Sequence, residues 1–254
     1  MRHIILALIL LVIGATPALA DTISIRADVW CPYNCNPDDK KPGYGIEIVK
    51  TIFENAGHRI DYANMNWADS IARTRKREFT AIIGATNHDA PDFIFPNEPI
   101  GMSSITYAIR IDDKSIIHSV NDLKDKLLGV IDAYSYNPSV DTYIANSRLD
   151  AKKIHVSAGD DALETNINLL LNKKLDVVCD DTNVLFYKTN KMSVFSKLKM
   201  GRDKGNLTKI YLAFSPSHPK AKAYAALLDK GIIELRSNGK LKLILQKYGL
   251  SDWK

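Results

Sequence analysis

The chain has 254 residues, with 34 Lys and Arg against 29 Asp and Glu and a formal net charge of +5. The lysines are scattered among acidic residues, and no basic stripe is interleaved with aromatics. This argues against a nucleic-acid partner and for a solvated, mixed-charge surface. No metal-ligand cluster, no glycine-rich phosphate loop and no Ser/His/Asp order is visible, so nothing in the sequence asks for a metal or a cofactor.

Met1 to Ala20 reads as a cleavable secretory signal. Arg2 supplies the positive start, Ile4 to Ile13 is an unbroken apolar run, and Ala18-Leu19-Ala20 is an A-x-A cleavage site. The run is shorter than the roughly 20 residues that a membrane span needs, and no Cys follows the cleavage site to carry a lipid. The expected mature chain therefore starts at Asp21, is soluble and exported, and works as a monomer in the periplasm. Its length allows one large domain or two of about 100 residues each.

In an oxidising compartment, Cys31 and Cys35 are most simply a disulfide that staples a loop. The redox spacing C-x-x-C is absent, which disfavours an oxidoreductase partner role. Cys179 falls in an apolar run and reads as a buried free thiol.

Strand-like and helical patterns alternate after the signal. Ile23 to Ala27 alternates with period two. Gly45 to Ala56 places Ile46, Val49, Ile52, Phe53 and Ala56 on one helical face, and Gly57 stops that helix. Arg59 to Ala63 is a strand, Trp67 to Lys76 a helix, and Ala81 to Ala85 a buried strand. Such β-α-β-α-β order implies parallel strands flanked by helices.

A second unit repeats the pattern. Ser119 to Asp122 caps a short helix, Leu128 to Ile131 is a strand, and Asn137-Pro138 opens a helix to Ser147. Ile154 to Val156 is a strand, residues 160–173 are helical, Leu175 to Cys179 is a strand, and Asp181 caps a helix through Tyr187. The chain closes with a strand over Ile210 to Ser215, a helix over Pro219 to Asn238 ended by Gly239, and a helix over Leu241 to Tyr248 ended by Gly249. The joining strands, Ser104 to Arg110 and Lys209 to Ser215, contain no flexible linker and suit a hinge between lobes.

In this order the motifs resemble the bacterial periplasmic solute-binding proteins of the amino-acid-type family 3, the two-lobed receptors of ABC transporters. The residues that carry the likeness are Trp30-Cys-Pro32-Tyr33, Gly43-Tyr-Gly-Ile-Glu47, the helix led by Trp67, Gly84-Ala-Thr86, and Phe95 to Pro99. In the second half they are Asp122-Leu-Lys124, Gly129-Val130, Leu175 to Asp181, and the tail from Tyr211. The resemblance covers nearly all of the mature chain. It implies an α/β, two-lobed periplasmic-binding-protein fold, each lobe a mixed, mostly parallel sheet flanked by helices and joined by two hinge strands. Lobe 1 would comprise residues 21–108 and 211–254, and lobe 2 residues 109–210.

The resemblance also carries over site residues. Family members that bind α-amino acids follow the Thr of Gly84-Ala-Thr86, three residues on, with an Arg that grips the carboxylate. Here that position is Asp89, which would repel a carboxylate, unless Arg73 or Arg110 reaches the cleft instead. The ammonium-binding Asp of the family falls at Asp181, and a hydroxyl at a second-lobe helix start falls at Ser135. Thr86, Asp89, Ser135 and Asp181 are therefore candidate ligand contacts, and a second reading of Asp181 is a plain helix cap. Trp30, Tyr33 and Trp67 are candidate π faces for a ligand, or packing beside the disulfide and in the lobe core.

The function implied is a receptor that takes a small polar, amine-bearing solute between its lobes and passes it to an ABC permease or a membrane sensor. A second reading is an enzyme on the same scaffold, similar to dehydratases of cyclohexadienyl acids. It would need a general acid from among Glu98, Asp89 and His88.

Overall fold

The computed structural model describes residues 20–159, 161–205 and 207–254. Apart from Ala20, the expected signal segment lies outside the described residues. The first half runs β1 (Thr22–Ala27), α1 (Tyr44–Asn55), β2 (Arg59–Asn64), α2 (Trp67–Arg75), β3 (Ala81–Ala85) and β4 (Gly101–Ser103). The second runs β5 (Ile105–Arg110), β6 (Leu128–Ile131), α3 (Pro138–Ser147), β7 (Ile154–Ser157), α4 (Ala162–Leu171), β8 (Val177–Asp181), α5 (Thr182–Lys191) and β9 (Leu198–Arg202). The tail is β10 (Thr208–Phe214), α6 (Ala221–Ser237) and α7 (Lys240–Gln246).

These strands form two five-stranded sheets, ordered β2-β1-β3-β10-β4 and β7-β6-β8-β5-β9. In each, three neighbouring strands are parallel, and the fourth strand runs against both of its neighbours. That antiparallel strand is β10 in the first sheet and β5 in the second. The chain crosses from the first sheet to the second at Ser104, and returns between β9 and β10. The helices flank the sheets: α1, α6 and α7 pack on one another, α2 lies on β1 and β3, and α4 and α5 cover the second sheet.

Local sequence explains several element ends. Asn137 accepts from the backbone N–H groups of Ser139 and Val140 with Pro138 at the first helical position, which is the cap-then-proline start. Gly239 takes a left-handed φ of 78° after α6, a conformation glycine adopts without Cβ strain. Strands β4 and β9 were not foreseen. β4 has only three residues, and β9 is an edge strand in which only Leu198 is buried, so neither carries a clear apolar alternation.

The loop after β1 is fixed by α1. This helix has no side-chain cap. Its first N–H groups, on Tyr44 and Gly45, donate to the carbonyls of Pro32 and Tyr33, each at 2.9 Å. A Cβ on Gly43 would lie 2.4 Å from the Tyr33 carbonyl oxygen, so only glycine lets the helix come this close. Cys31 and Cys35 are disulfide-bonded and Cys179 is a buried free thiol.

Candidate functional site

The carboxyl ends of parallel strands are where open α/β sheets bind ligands, and both sheets aim theirs at one place. A cavity lies at the seam between the lobes, and a neighbouring one shares its Asp28, Trp30, Tyr134 and Asp180. The first sheet supplies Asp28, Trp30 and Asn34 after β1, Trp67 at the start of α2, and Gly84, Thr86 and Asp89 at the end of β3. The second supplies Tyr134, Ser135 and Tyr136 after β6, and Asp180 and Asp181 at the end of β8. Ser103 and Ile105 flank the crossing.

On the first wall, Trp30 stacks on Tyr33 with ring centroids 4.2 Å apart. Tyr33 is wholly buried and does not line the cavity. Its Oη lies 2.8 Å from the Met102 carbonyl oxygen and 3.1 Å from Asp181 Oδ2. Tyr33 therefore fixes the indole plane from below, and the expectation that it offers its own ring to a ligand is not met. Asn34 donates through Nδ2 to the Asp28 carbonyl at 2.8 Å, and its Oδ1 has no partner among the described residues. Asp89 folds back onto its own loop: Oδ2 accepts from Thr86 N at 2.6 Å and from Thr86 Oγ1 at 2.7 Å. Trp67 also hydrogen-bonds to this carboxylate. Burial nevertheless pushes the Asp89 carboxyl up from its ordinary value.

On the second wall, Ser135 Oγ donates to Asp141 Oδ2 at 2.8 Å, and Tyr136 N donates to the other oxygen of Asp141 at 2.9 Å. Asp181 caps α5: Oδ1 accepts from Asn183 N at 2.8 Å and Val184 N at 3.1 Å, and Oδ2 accepts from Tyr33 Oη and from Ser104 N. Both of its oxygens are thus in structural use. Asp180 is different. Oδ1 accepts from Asp181 N at 2.6 Å and from the Trp30 indole N–H at 3.3 Å, while Oδ2, in a side chain 1% exposed, has no hydrogen-bond partner among the described residues. Burial, with the neighbouring charges of Asp181 and Asp28, pushes the Asp180 carboxyl up to about 7.

The lobes are closed on each other. Trp30 bonds across the seam to Asp180, Tyr134 donates to Asp28, and Asn183 Nδ2 reaches Tyr33 Oη at 3.3 Å. Four aspartates line the cavity, and among the described residues no Lys, Arg or His does; Lys188 and Lys191 line the neighbouring cavity that shares Asp28, Trp30, Tyr134 and Asp180 with it. The structure thus brings Trp30, Trp67, Thr86, Asp89, Ser135 and Asp181 together and leaves Tyr33 behind them.

Arg73 pairs with Glu78 at 2.6 Å, and Arg110 donates to the carbonyls of Leu170 and Leu175, so neither replaces the missing clamp. Glu98 is bound by Lys254 and Arg236, and His88 is exposed; neither lines the cavity. The lining residues Asp28 and Asn34 went unread in the sequence. Asp28 follows the last residue of β1 and could have been found by that position alone.

Residues 23–251 match the family model described as bacterial extracellular solute-binding proteins, family 3. The chain belongs to this family. No curated protein matches this solute-binding protein in sequence. Solved structures match its fold at low identity. One, from work on glutathione import by GshT and the cystine ABC importer TcyBC of Streptococcus mutans, has a TM-score of 0.76 at 17% identity, over 92% of this chain and 97% of the other. The amino acid ABC transporter substrate-binding protein AbpA of Streptococcus pneumoniae, bound to L-arginine, has a TM-score of 0.70 at 16% identity over 89% and 94%. A histidine kinase sensor domain has a TM-score of 0.74 at 16% identity over 91% and 98%. No helix among the described residues of this protein is long and apolar enough to cross a membrane.

Proposed function

We propose that this protein is a monomeric periplasmic receptor that captures a small polar, amine-bearing solute between its lobes and presents it to an ABC permease or a membrane sensor. The observation that carries the reading is the cavity at four strand ends, walled by four aspartates with no basic side chain among the described residues. A carboxylate-lined site among buried residues favours a cation, because unlike charges attract more strongly where the dielectric is low. A ligand touching both walls favours the closed arrangement through its differential contacts. The solved relatives include both a transporter component and a sensor domain, which supports either partner. The dehydratase reading asks for a general acid at the cavity. Of its three candidates only Asp89 lies there, already engaged by Thr86.

Thermal shift with amines, amino acids, sugars and dicarboxylates tests the reading. A solute at 100 times its Kd stabilises by about 2.7 kcal/mol. Stabilisation by an amine-bearing solute is expected. Stabilisation by sugars or dicarboxylates alone would overturn it.

A further inference from the structure

Five hydrogen-bond donors on the cavity walls are consumed by the protein's own carboxylates, while two acceptors there have no partner among the described residues. Thr86 N–H and Oγ–H both go to Asp89, Ser135 Oγ–H goes to Asp141, Tyr134 Oη–H goes to Asp28, and the Trp30 indole N–H goes to Asp180. Against this, Asp180 Oδ2 and Asn34 Oδ1 are buried acceptors without partners among the described residues, one on each wall. A buried acceptor left unsatisfied is costly, and two on facing walls call for a molecule that brings N–H donors. A carboxylate on that molecule would meet four aspartates and no unused donor among those just named.

We propose that the ligand is an amine or guanidine cation bearing N–H donors and no carboxylate, and that Asp180, aided by Asn34, takes its charged group. The inference rests on the receptor reading above and narrows it from any amine-bearing solute to the carboxylate-free ones. Asp180 is the anchor and not Asp181, because both oxygens of Asp181 already hold the start of α5 and the crossing strand. Trp30, Trp67, Tyr134 and Tyr136 give the cation aromatic walls, which attract positive charge through the ring face. A quaternary ammonium would use those walls but would leave both acceptors unpaired.

Calorimetry with matched pairs tests this: agmatine against arginine, putrescine against ornithine, cadaverine against lysine, with choline, succinate and glucose as controls. Each pair differs by one carboxylate, and a like-charge clash in a buried site is worth several kcal/mol, so the amine of a bound pair is expected to bind about 100-fold more tightly than its parent. Asp180→Asn is expected to weaken that amine by about 100-fold or more, with melting curves showing that the variant is folded.

An amino acid binding within about tenfold of its amine overturns the carboxylate-free ligand and leaves the receptor reading in place. An unchanged Kd in a folded Asp180→Asn variant overturns the anchor. If the variant does not fold, the pairwise preference of the natural protein still decides the ligand class. Binding of choline more tightly than every amine overturns the role of the two acceptors. Should no cation bind at about 1 mM, the inference falls. If succinate or glucose binds in their place, the amine reading of the receptor falls with it.

Discussion

Replacing Asp180 by Asn is expected to make the empty protein more stable while removing its ligand. The Asp180 carboxyl stands at about 7 in the folded protein against an ordinary value of 3.8, through burial first and then the charges of Asp181 and Asp28. Between those two values the folded protein holds a proton that the unfolded chain has released, so stability falls as pH rises through that window. The whole loss is about 4 kcal/mol with the lobes closed, and opening recovers part of it by hydrating the carboxylate. Asparagine keeps the acceptor for Asp181 N–H and the Trp30 indole, and carries no charge. Its stability advantage is thus smallest near pH 4 and grows to between about 1 and 4 kcal/mol at pH 8. For a chain of this size each kcal/mol raises the melting temperature by about 2–4 °C. Melting curves of both proteins from pH 4 to 8, without ligand, measure the gap. A gap that does not widen with pH, or a variant that melts lower at pH 8, would refute the argument that Asp180 is held at the cost of stability.

Other outcomes follow from the same structure. Affinity for the cationic ligand should rise by about tenfold per pH unit below 7 and level off above it, since the ligand needs the ionised Asp180; Asp28, Asp181, Tyr134, Tyr136 and Cys179 also titrate around it, and Lys188 and Lys191 line the neighbouring cavity that shares it. A calorimetric Kd that is flat from pH 5 to 8 contradicts this. Asp181→Ala removes the acceptor for two N–H groups of α5 and should lower stability by about 1–2 kcal/mol in urea unfolding, at every pH above the carboxyl's own titration; an unchanged midpoint would deny it the capping role. Unfolded, unreduced protein should titrate with one thiol, that of Cys179, and reduction should cost about 2 kcal/mol, as expected for so small a ring; three thiols before reduction would contradict the bond.

Much of the fold was legible in the sequence because it is written in local signals. Asn137-Pro138, Gly239 and the cap at Asp181 mark helix ends through hydrogen bonds that span a few residues. The edge strand β9 was not legible, since pairing on one side alone demands little of its side chains. The site divides in the same way. Trp30, Thr86 and Ser135 could be placed because they follow strand ends. The division of labour between Asp180 and Asp181 could not, because both end the same buried strand beside the cavity and only contacts with distant residues tell the two carboxylates apart. Their partners settle it: both oxygens of Asp181 are taken by Tyr33, Ser104 and the start of α5, whereas Asp180 Oδ2 has no hydrogen-bond partner among the described residues. Tyr33 misled for a related reason. Its ring is aromatic and next to the cleft, but it is spent as a prop for Trp30.

Two of the polar pairs that consume the cavity's donors have a short reach along the chain. Asp89 acts on Thr86 three residues away, and Asp141 on Ser135 six residues away. Thr86 and Asp89 lie just after β3, and Ser135 after β6 with Asp141 in the first turn of α3, outside the apolar layers that hold the sheets together. Under the proposed reading, the charge that the cleft takes is set by these connections together with Asp180 at the end of β8. Exchanging Asp89 or Asp141 would release Thr86 or Ser135 to donate to a guest, a change made outside the apolar layers of either lobe.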